Sequence, residues 1–155
     1  MVLMTLGILA ELFWSYSQAV RTAASKNRTL CALQIGLSTV RNELREAIQV
    51  DQPGAGGSTH ELKFSKIDPT ISRFPGPGPL WNPFLPAHIE RLRYFLFDDQ
   101  LKREVIFADG TQRQSILLQP VSDFTVARGS VEDYEIAVTI PEDRRQRRVV
   151  TQVVR

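Results

Sequence analysis

The first fifty residues carry a helical pattern of apolar positions that changes character at Arg21. Residues 1–20 hold a single charged side chain, Glu11, and are mostly apolar. Beyond Arg21 the apolar residues recur at steps of three and four, which places them on one stripe of a helix. The residues of this stripe are Leu30, Leu33, Leu37, Val40, Leu44 and Ile48. No proline precedes Pro53, so the pattern predicts one continuous helix that ends at residues 51–58.

Polar residues that alternate with the stripe are expected to face solvent. These residues are Arg41, Asn42, Glu43, Arg45 and Glu46. A continuous helix over this stretch would be about 75 Å long, whereas a domain of this size has a radius of gyration of about 15 Å. The length therefore predicts that the apolar half of the helix extends beyond the globular part of the chain.

The apolar segment 1–20 has about the length that crosses a bilayer, roughly 20 residues, but it is not uniformly apolar. Glu11 and Ser15 would be costly in lipid. A secretory signal would have a basic residue before its apolar run, and none precedes this one. Two interpretations stay open at this point. The segment is a membrane or filament helix, or it is the first half of a buried helix in a soluble domain.

After residue 58 the periodicity changes from helical to extended. Alternating or β-branched apolar residues predict strands at residues 60–65, 89–97, 101–107, 116–118, 121–126, 134–140 and 149–154. Residues 68–86 hold six of the nine prolines and predict an irregular excursion, either a structural flap or a partner-facing loop. The order of elements predicts an α+β fold in which a long N-terminal helix packs on a small antiparallel sheet. We divide the chain into an apolar helix, residues 1–24, and a globular domain, residues 25–155.

Composition narrows the classes of protein that this chain can be. With 155 residues, 43% of them hydrophobic, the chain can build one domain with a substantial core. One cysteine and two histidines exclude a disulfide scaffold and a cysteine-based zinc site, so no metal site is predicted. The first fifty residues account for the whole net charge of +2, so the rest has no basic excess. Nucleic acid is therefore not an expected partner.

Several residues could belong to a binding or catalytic site, but for each of them a purely structural role is the favoured interpretation. The glycine-rich segment 54–57 follows a helix and lacks the Lys-Ser/Thr of a phosphate-binding loop, so a plain loop is predicted. Asp98, Asp99 and Asp109 could hold a cation, but at hairpin tips such residues are typical turn formers. A hydrolase that uses a histidine has no motif behind it. We predict no catalytic, cofactor-binding or metal-binding residue.

Four arginines lie within residues 144–148. Such a run could contact phosphate or anionic lipid. The neighbouring Glu142 and Asp143 favour a solvated hairpin tip instead. Proteins that bind single-stranded nucleic acid typically interleave aromatic residues with basic ones, and no aromatic residue is interleaved with these arginines.

Segments from both ends of the chain together resemble one protein superfamily. Residues 6–10, Leu-Gly-Ile-Leu-Ala, look like the apolar half-helix of type IV pilins. The C-terminal segments that resemble the larger minor pseudopilins are residues 89–94, 101–103, 116–118, 121–124 and 149–155. The chain thus resembles the type IV pilin and type II secretion pseudopilin superfamily, most of all J-type minor pseudopilins and PilW-like minor pilins.

The resemblance implies a fold, a location and a function. In that superfamily the apolar half-helix crosses the bacterial inner membrane once and later packs in a filament core, while the globular domain lies in the periplasm. The implied role is a minor structural subunit that acts in assembly at the filament tip, with other pilin-like subunits as partners. No enzymatic activity, cofactor or small-molecule substrate is implied. Gly7 and Ala10 would offer neighbouring helices a small face, beside which Glu11 would need a hydrogen-bond donor.

The processing motif of the superfamily, Gly-Phe-Thr-Leu-x-Glu, has no counterpart in this chain. Superposing the apolar stretches places its glutamate at or just before Met1. We therefore expect either that the chain begins downstream of a prepilin start or that it lacks the processing site, and no functional residue is carried over. The alternative function is a soluble α+β binding module whose first helix is buried in an oligomer.

Overall fold

A computed structural model describes residues 2–69, 71, 82, 85–130, 132–142 and 145–155, with side chains from Glu11 onward. The chain divides into two compact units, Met1–Ile35 and Gly36–Arg155. The described residues form one α-helix, one short 3-10 helix (Pro86–His88) and nine strands. The helix and strands are α1 (Val2–Arg45), β1 (Ala47–Gln52), β2 (Ser58–Thr59), β3 (Glu61–Ile67), β4 (Ile89–Phe97), β5 (Gln100–Ile106), β6 (Gln112–Leu118), β7 (Asp123–Arg128), β8 (Asp133–Glu142) and β9 (Arg145–Val154).

The strands of the second unit form two antiparallel sheets. The first sheet has the strand order β1-β3-β4-β5-β6, and the second has the order β2-β7-β8-β9. The α+β class is confirmed, and within the second unit the end of α1, from Gly36 to Arg45, packs against antiparallel strands. The sequence predicts one small sheet and the structure shows two, because alternation locates strands without specifying which of them pair.

Alternating burial along the strands builds the core of the second unit. Leu62 and Phe64 of β3 and Leu92 and Tyr94 of β4 are fully buried, and the rings of Phe64 and Tyr94 stack with their centroids 6.1 Å apart. The second sheet contributes Phe124, Val126, Tyr134, Ile136, Val138, Ile140 and Val153. Along β7 the buried side chains alternate with less buried ones, as expected of a strand with one buried face, whereas residues 136–140 of β8 are buried consecutively.

The predicted apolar stripe of the helix is confirmed over its central part. Leu33, Leu37, Val40 and Leu44 are buried, and Leu30 is half-buried. Burying a side chain of this kind stabilises a fold by about 1.5–3 kcal/mol. The stripe therefore accounts for the packing of the C-terminal part of α1.

The helix ends earlier than predicted. It stops at Arg45, and Ile48 and Val50 lie in β1, where Val50 pairs with Phe64 of β3. Residues 48–51 alternate between apolar and polar side chains, and their β-branched residues suit a strand better than a helix. The prediction that the helix continues to residues 51–58 is therefore wrong.

Most of the remaining strand predictions are confirmed, and β4 has the predicted bounds. The arginine segment differs, because Arg145–Arg148 form the start of β9 and pair with the end of β8 rather than forming a loop. Long side chains such as arginine keep their charge in water while their backbone joins a sheet. Arg144 lies outside the described residues, as do most of the proline-rich residues 68–86, and at Gly7 and Ala10 only the helical backbone is described.

Candidate functional site

The first described turns of α1 carry exposed apolar side chains. Leu12, Phe13, Trp14, Tyr16 and Val20 are each between 50% and 74% exposed. At about 100° of rotation per residue, four of them fall within an arc of about 100° on one side of the helix. We call these four residues, Leu12, Phe13, Tyr16 and Val20, the apolar stripe of the first unit.

The opposite side of this helix carries Trp14 and several polar residues, whose hydroxyl groups bond within the helix. The hydroxyl of Ser15 donates to the carbonyl oxygen of Leu12 at 3.0 Å, and that of Thr22 donates to the carbonyl oxygen of Gln18 at 2.9 Å. Thr29 donates in the same way to Ser25 at 3.2 Å. A hydroxyl that is already satisfied costs less to transfer into an apolar environment. This helix can therefore be covered by apolar partners more readily than its composition suggests.

Among the residues that the structure describes, no helix is long and apolar enough to cross a bilayer. Residues 2–10, whose side chains are not described, lie N-terminal to the apolar stripe of the first unit.

A buried charge cluster lies in the second unit, where α1 meets the first sheet. Glu43 of α1 accepts two hydrogen bonds from Arg103 of β5, at 3.0 Å from Nε and 2.7 Å from Nη2. The same carboxylate accepts a hydrogen bond from the hydroxyl of Tyr94 and one from Nζ of Lys66 at 3.2 Å. Lys66 also lies 3.4 Å from the carboxylate of Glu90. We call these five residues the Glu43 cluster.

Local structure explains why the cluster forms. Lys66 follows Leu62 and Phe64 at the period of two that points side chains to the same face of β3. The register places Lys66 opposite Glu90 on β4 and Tyr94 opposite Arg103 on β5. Four polar side chains therefore share the face of the sheet that the helix covers, and Glu43 of the helix meets them.

The charges of the cluster fix one another's protonation. Burial raises the pKa of Glu43, but the hydrogen bonds from Arg103 and Tyr94, with Lys66 nearby, outweigh it and hold that pKa below its ordinary value. Burial, together with the negative charge of Glu43, raises the pKa of the Tyr94 hydroxyl. The hydrogen bonds to Glu43 raise the pKa of Arg103. Burial raises the pKa of Glu90 despite the nearby Lys66.

This arrangement suits a structural clamp better than a catalytic site. A general base needs a carboxylate whose pKa lies near the working pH and which a substrate can reach. The pKa of Glu43 is lowered, its oxygens accept four hydrogen bonds from three residues, and only 15% of its side chain is exposed. The cluster residues line neither of two surface cavities, of about 470 and 400 Å³, that the described residues form. The sequence prediction that Glu43 faces solvent is therefore wrong.

A signal for the cluster was present in the sequence. On a helical projection Glu43 lies about 60° from Val40, which places it at the margin of the buried stripe rather than on the opposite face. Lys66, Glu90 and Arg103 each occupy an inward position by the alternation of their strands. Inward charged residues on adjacent strands need partners, and Glu43 supplies the charge that two cations require.

The acids considered as possible active-site residues are turn formers. Asp98 and Asp99 have φ angles of 52° and 53°, as a tight hairpin turn requires at both of its central positions. Asp109 accepts hydrogen bonds from the backbone N–H and hydroxyl of Thr111, and these bonds lower its pKa. The glycine segment 54–57 is a loop, in which the N–H of Gly57 donates to the carbonyl oxygen of Gly54 at 3.0 Å. These structural predictions are confirmed.

The two histidines lie in separate surroundings. Nδ1 of His60 is 3.3 Å from the carboxylate of Asp123 and 3.0 Å from the carbonyl oxygen of Phe124, on a side chain that is 77% exposed. Nδ1 of His88 accepts a hydrogen bond from the backbone N–H of Asn82. Within the described part of the chain, no three His, Cys, Asp or Glu side chains are grouped so that they could hold a metal ion.

In comparisons with known proteins, no family model, no curated protein and no solved structure matches this chain. Its resemblance to pilins and pseudopilins therefore stays a prediction from the residues quoted above.

Proposed function

We propose that this protein is a minor structural subunit of the pilin and pseudopilin kind, which acts in the assembly of a type II secretion or type IV pilus-like filament. In this proposal the N-terminal helix associates with the helices of other subunits, and the second unit is the globular domain. The observation that carries the proposal is the run of exposed aromatic and aliphatic side chains on α1, from Leu12 to Val20. Large exposed apolar surfaces are typical of interaction sites.

The Glu43 cluster supports a mechanical role for the same helix. Glu43 ties α1 to β5 through Arg103 and to β3 through Lys66. A helix that is held by a buried, fully paired charge keeps one position on its sheet, because sliding would leave buried charges unpaired. A filament subunit needs such a fixed attachment, since its helix is the part that binds neighbours.

The proposed location and chemistry follow from this role. The N-terminal helix is anchored in the bacterial inner membrane before assembly, and the globular domain lies in the periplasm. The protein has no enzymatic activity and uses no cofactor, because a structural subunit requires neither. Its partners are other pilin-like subunits, and polar side chains such as Ser15 and Thr22 are tolerated because their hydroxyls bond within the helix.

Substitutions on the two sides of the helix test the proposal. Tyr16→Glu and Val20→Glu place charges on the apolar stripe of the first unit, and Gln18→Glu and Thr22→Glu place the same charge on its polar side as matched controls. Each full-length variant is co-expressed with pilin-like subunits of the same cell, and the co-purified amount is measured in detergent. We expect the stripe variants to lose at least about 90% of the co-purified subunit, because a buried carboxylate is expensive.

The controls are expected to keep most of the co-purified subunit. Equal retention by all four variants would refute the assembly role. A detergent-free homo-oligomer that only the stripe variants dissociate would instead identify a soluble binding module whose first helix is buried between its own copies.

A further inference from the structure

Among the described strands, β9 forms a long edge of the second sheet. It lies at the end of the strand order β2-β7-β8-β9 and pairs with β8 through ten consecutive residue pairs without a register shift. The strand at the opposite edge, β2, has only two residues. Among the described strands of this sheet, β9 therefore offers the longer edge for pairing with another chain.

The register shows which backbone groups of β9 face outward. The N–H of Arg155 donates to the carbonyl oxygen of Glu132 at 2.9 Å, so these two residues form a bonded pair. Thr139 lies opposite Arg148, but its carbonyl oxygen accepts a hydrogen bond from the N–H of Ser122 at 2.8 Å and not from Arg148. Bonded and non-bonded pairs alternate in an antiparallel ladder. The backbone N–H and C=O groups directed away from β8 are those of Gln146, Arg148, Val150, Gln152 and Val154.

The two halves of this edge differ in chemistry. Arg145, Arg147 and Arg148 are exposed in the first half. In the second half Val150 is 46% exposed and Val154 is 71% exposed. An additional strand would therefore meet positive charge along one half and β-branched apolar side chains along the other.

The acids near these arginines only partly neutralise them. Arg147 lies 3.5 Å from Glu142, and Arg148 lies 3.8 Å from Glu135. Pairs as exposed as these contribute little and exchange readily with a better partner. Arg145 makes no ion pair with an acid of the described residues, so an acidic partner could complement it.

We propose that the β9 edge binds an extended segment of a partner protein as a fifth strand of this sheet. The segment runs antiparallel to β9, with acidic side chains beside Arg145–Arg148 and uncharged β-branched side chains beside Val150 and Val154. Backbone hydrogen bonds supply the affinity, and the arginines supply orientation and choice of partner. The inference is independent of the helix and of the proposed assembly role.

A second copy of the chain fits this edge less well. If two β9 strands paired about a twofold axis with Val150 opposite Val150, Arg148 would lie opposite Gln152 and Arg145 opposite Arg155. The arginines of neither copy would then meet an acid. Charges also serve in many proteins to keep a sheet edge from pairing, but here the second half of the edge carries Val150 and Val154 without such protection.

The test uses the full-length chain and a fluorescent peptide of about nine residues. The peptide alternates Thr and Val in its N-terminal half and Thr and Glu in its C-terminal half, and binding is measured by anisotropy. Gln152→Pro removes one outward N–H, which an edge strand tolerates. Its matched control, Gln152→Thr, keeps that N–H. We expect Gln152→Pro to weaken binding about tenfold or more, and Gln152→Thr to change it less than about twofold.

Charge reversal gives a second readout that leaves the backbone unchanged. The double variant Arg145→Glu with Arg148→Glu should weaken binding about tenfold or more and should prefer a peptide with Lys in place of Glu. Undiminished binding in either the proline or the double variant would overturn the proposal. Equal binding of a peptide that is N-methylated on alternate residues would also overturn it, because charge alone would then suffice.

Two further outcomes would assign the edge to a different partner. If the chain dimerises without peptide and Gln152→Pro abolishes the dimer, the occupant of the edge is a second copy of the chain. Arginine-dependent binding to anionic phosphatidylserine vesicles, without peptide binding, would identify a lipid surface. Either result contradicts the proposal that an acidic segment of a partner protein binds this edge.

Discussion

Glu43 on the helix and Arg103 on β5 form a bidentate ion pair across the interface between helix and sheet, at 2.7 and 3.0 Å. Two parallel N–H to carboxylate bonds fix the distance and the orientation of the two elements together. Sixty residues of chain separate the partners. This pair, with Lys66 and Tyr94 beside it, explains why the C-terminal part of α1 has one defined position on its sheet.

Removal of the Glu43 charge should destabilise the fold strongly. Glu43→Gln leaves Arg103 and Lys66 without their shared carboxylate, and the Lys66 side chain is only 9% exposed. Breaking such a pair from one side should lower the free energy of unfolding by about 2–4 kcal/mol. Chemical denaturation of the wild type and the variant measures this loss.

Glu46→Gln is the matched control for this substitution. Glu46 lies directly after the helix, 4.0 Å from Lys66, and its side chain is 53% exposed. We expect its loss to change the free energy of unfolding by about 0.5 kcal/mol or less. Similar losses for Glu43→Gln and Glu46→Gln would mean that the cluster does not hold the helix.

The same cluster predicts how stability changes with pH. Since the folded pKa of Glu43 lies below its ordinary value of about 4.5, its contribution is present above that pH and is lost as the pH falls through the folded pKa. Urea denaturation from about pH 7 to about pH 3 should therefore show a smaller loss of stability in Glu43→Gln than in the wild type.

Glu90 should act with the opposite sign. Its pKa is raised, so its contribution is present below the ordinary value and is lost as the pH rises through the folded pKa. Relative to the wild type, Glu90→Gln should therefore lose less free energy of unfolding at neutral pH than at acid pH. Identical pH profiles of Glu43→Gln and Glu90→Gln would contradict this assignment.

The hairpin between β4 and β5 should respond to the backbone preference of its turn. Asp99 has a φ of 53°, a conformation that glycine adopts without strain and a β-branched residue resists. Asp99→Gly should raise the free energy of unfolding by about 0.5 kcal/mol and raise the melting temperature slightly. Asp99→Val should lower the free energy of unfolding by about 1 kcal/mol or more. Thermal melts of the two variants that shift in the same direction would disprove the assigned turn.

The second unit should fold without the apolar segment of the helix. The described apolar side chains before residue 24, such as Tyr16 and Val20, are exposed, while the buried positions of the helix begin at Leu33. A chain of residues 25–155 should therefore show cooperative thermal unfolding with a melting temperature close to that of the full chain. A gradual, non-cooperative transition would show that residues 1–24 belong to the core.

The sequence alone predicted those elements whose periodicity was long and consistent. Leu37, Val40 and Leu44 repeat at helical spacing and are buried, and alternation gave β4 its bounds. The end of the helix was missed because Ile48 satisfies the helical spacing and a strand equally well. Only its pairing partner, β3, decides between the two.

The Glu43 cluster was missed for a different reason. A polar residue between stripe positions is usually solvated, and residues 66, 90 and 103 are distant in the chain. Their meeting depends on the pairing of β3, β4 and β5, which alternation does not specify. The candidate assembly surface, in contrast, was visible in the sequence, because apolar residues outnumber polar ones before Arg21.

Site-specific photo-cross-linking from the helix tests the central claim most directly. A photoreactive phenylalanine derivative replaces Tyr16 on the apolar stripe of the first unit, or Gln18 on its polar side, in the full-length protein within its own cells. We expect the Tyr16 probe to form an adduct with the N-terminal helix of another pilin-like subunit, identified by mass spectrometry of the cross-linked peptide. Its yield should be several times that of the Gln18 probe. Adducts only with a second copy of this chain, or equal yields from the two positions, would contradict the claim that this helix is the assembly surface of a filament subunit.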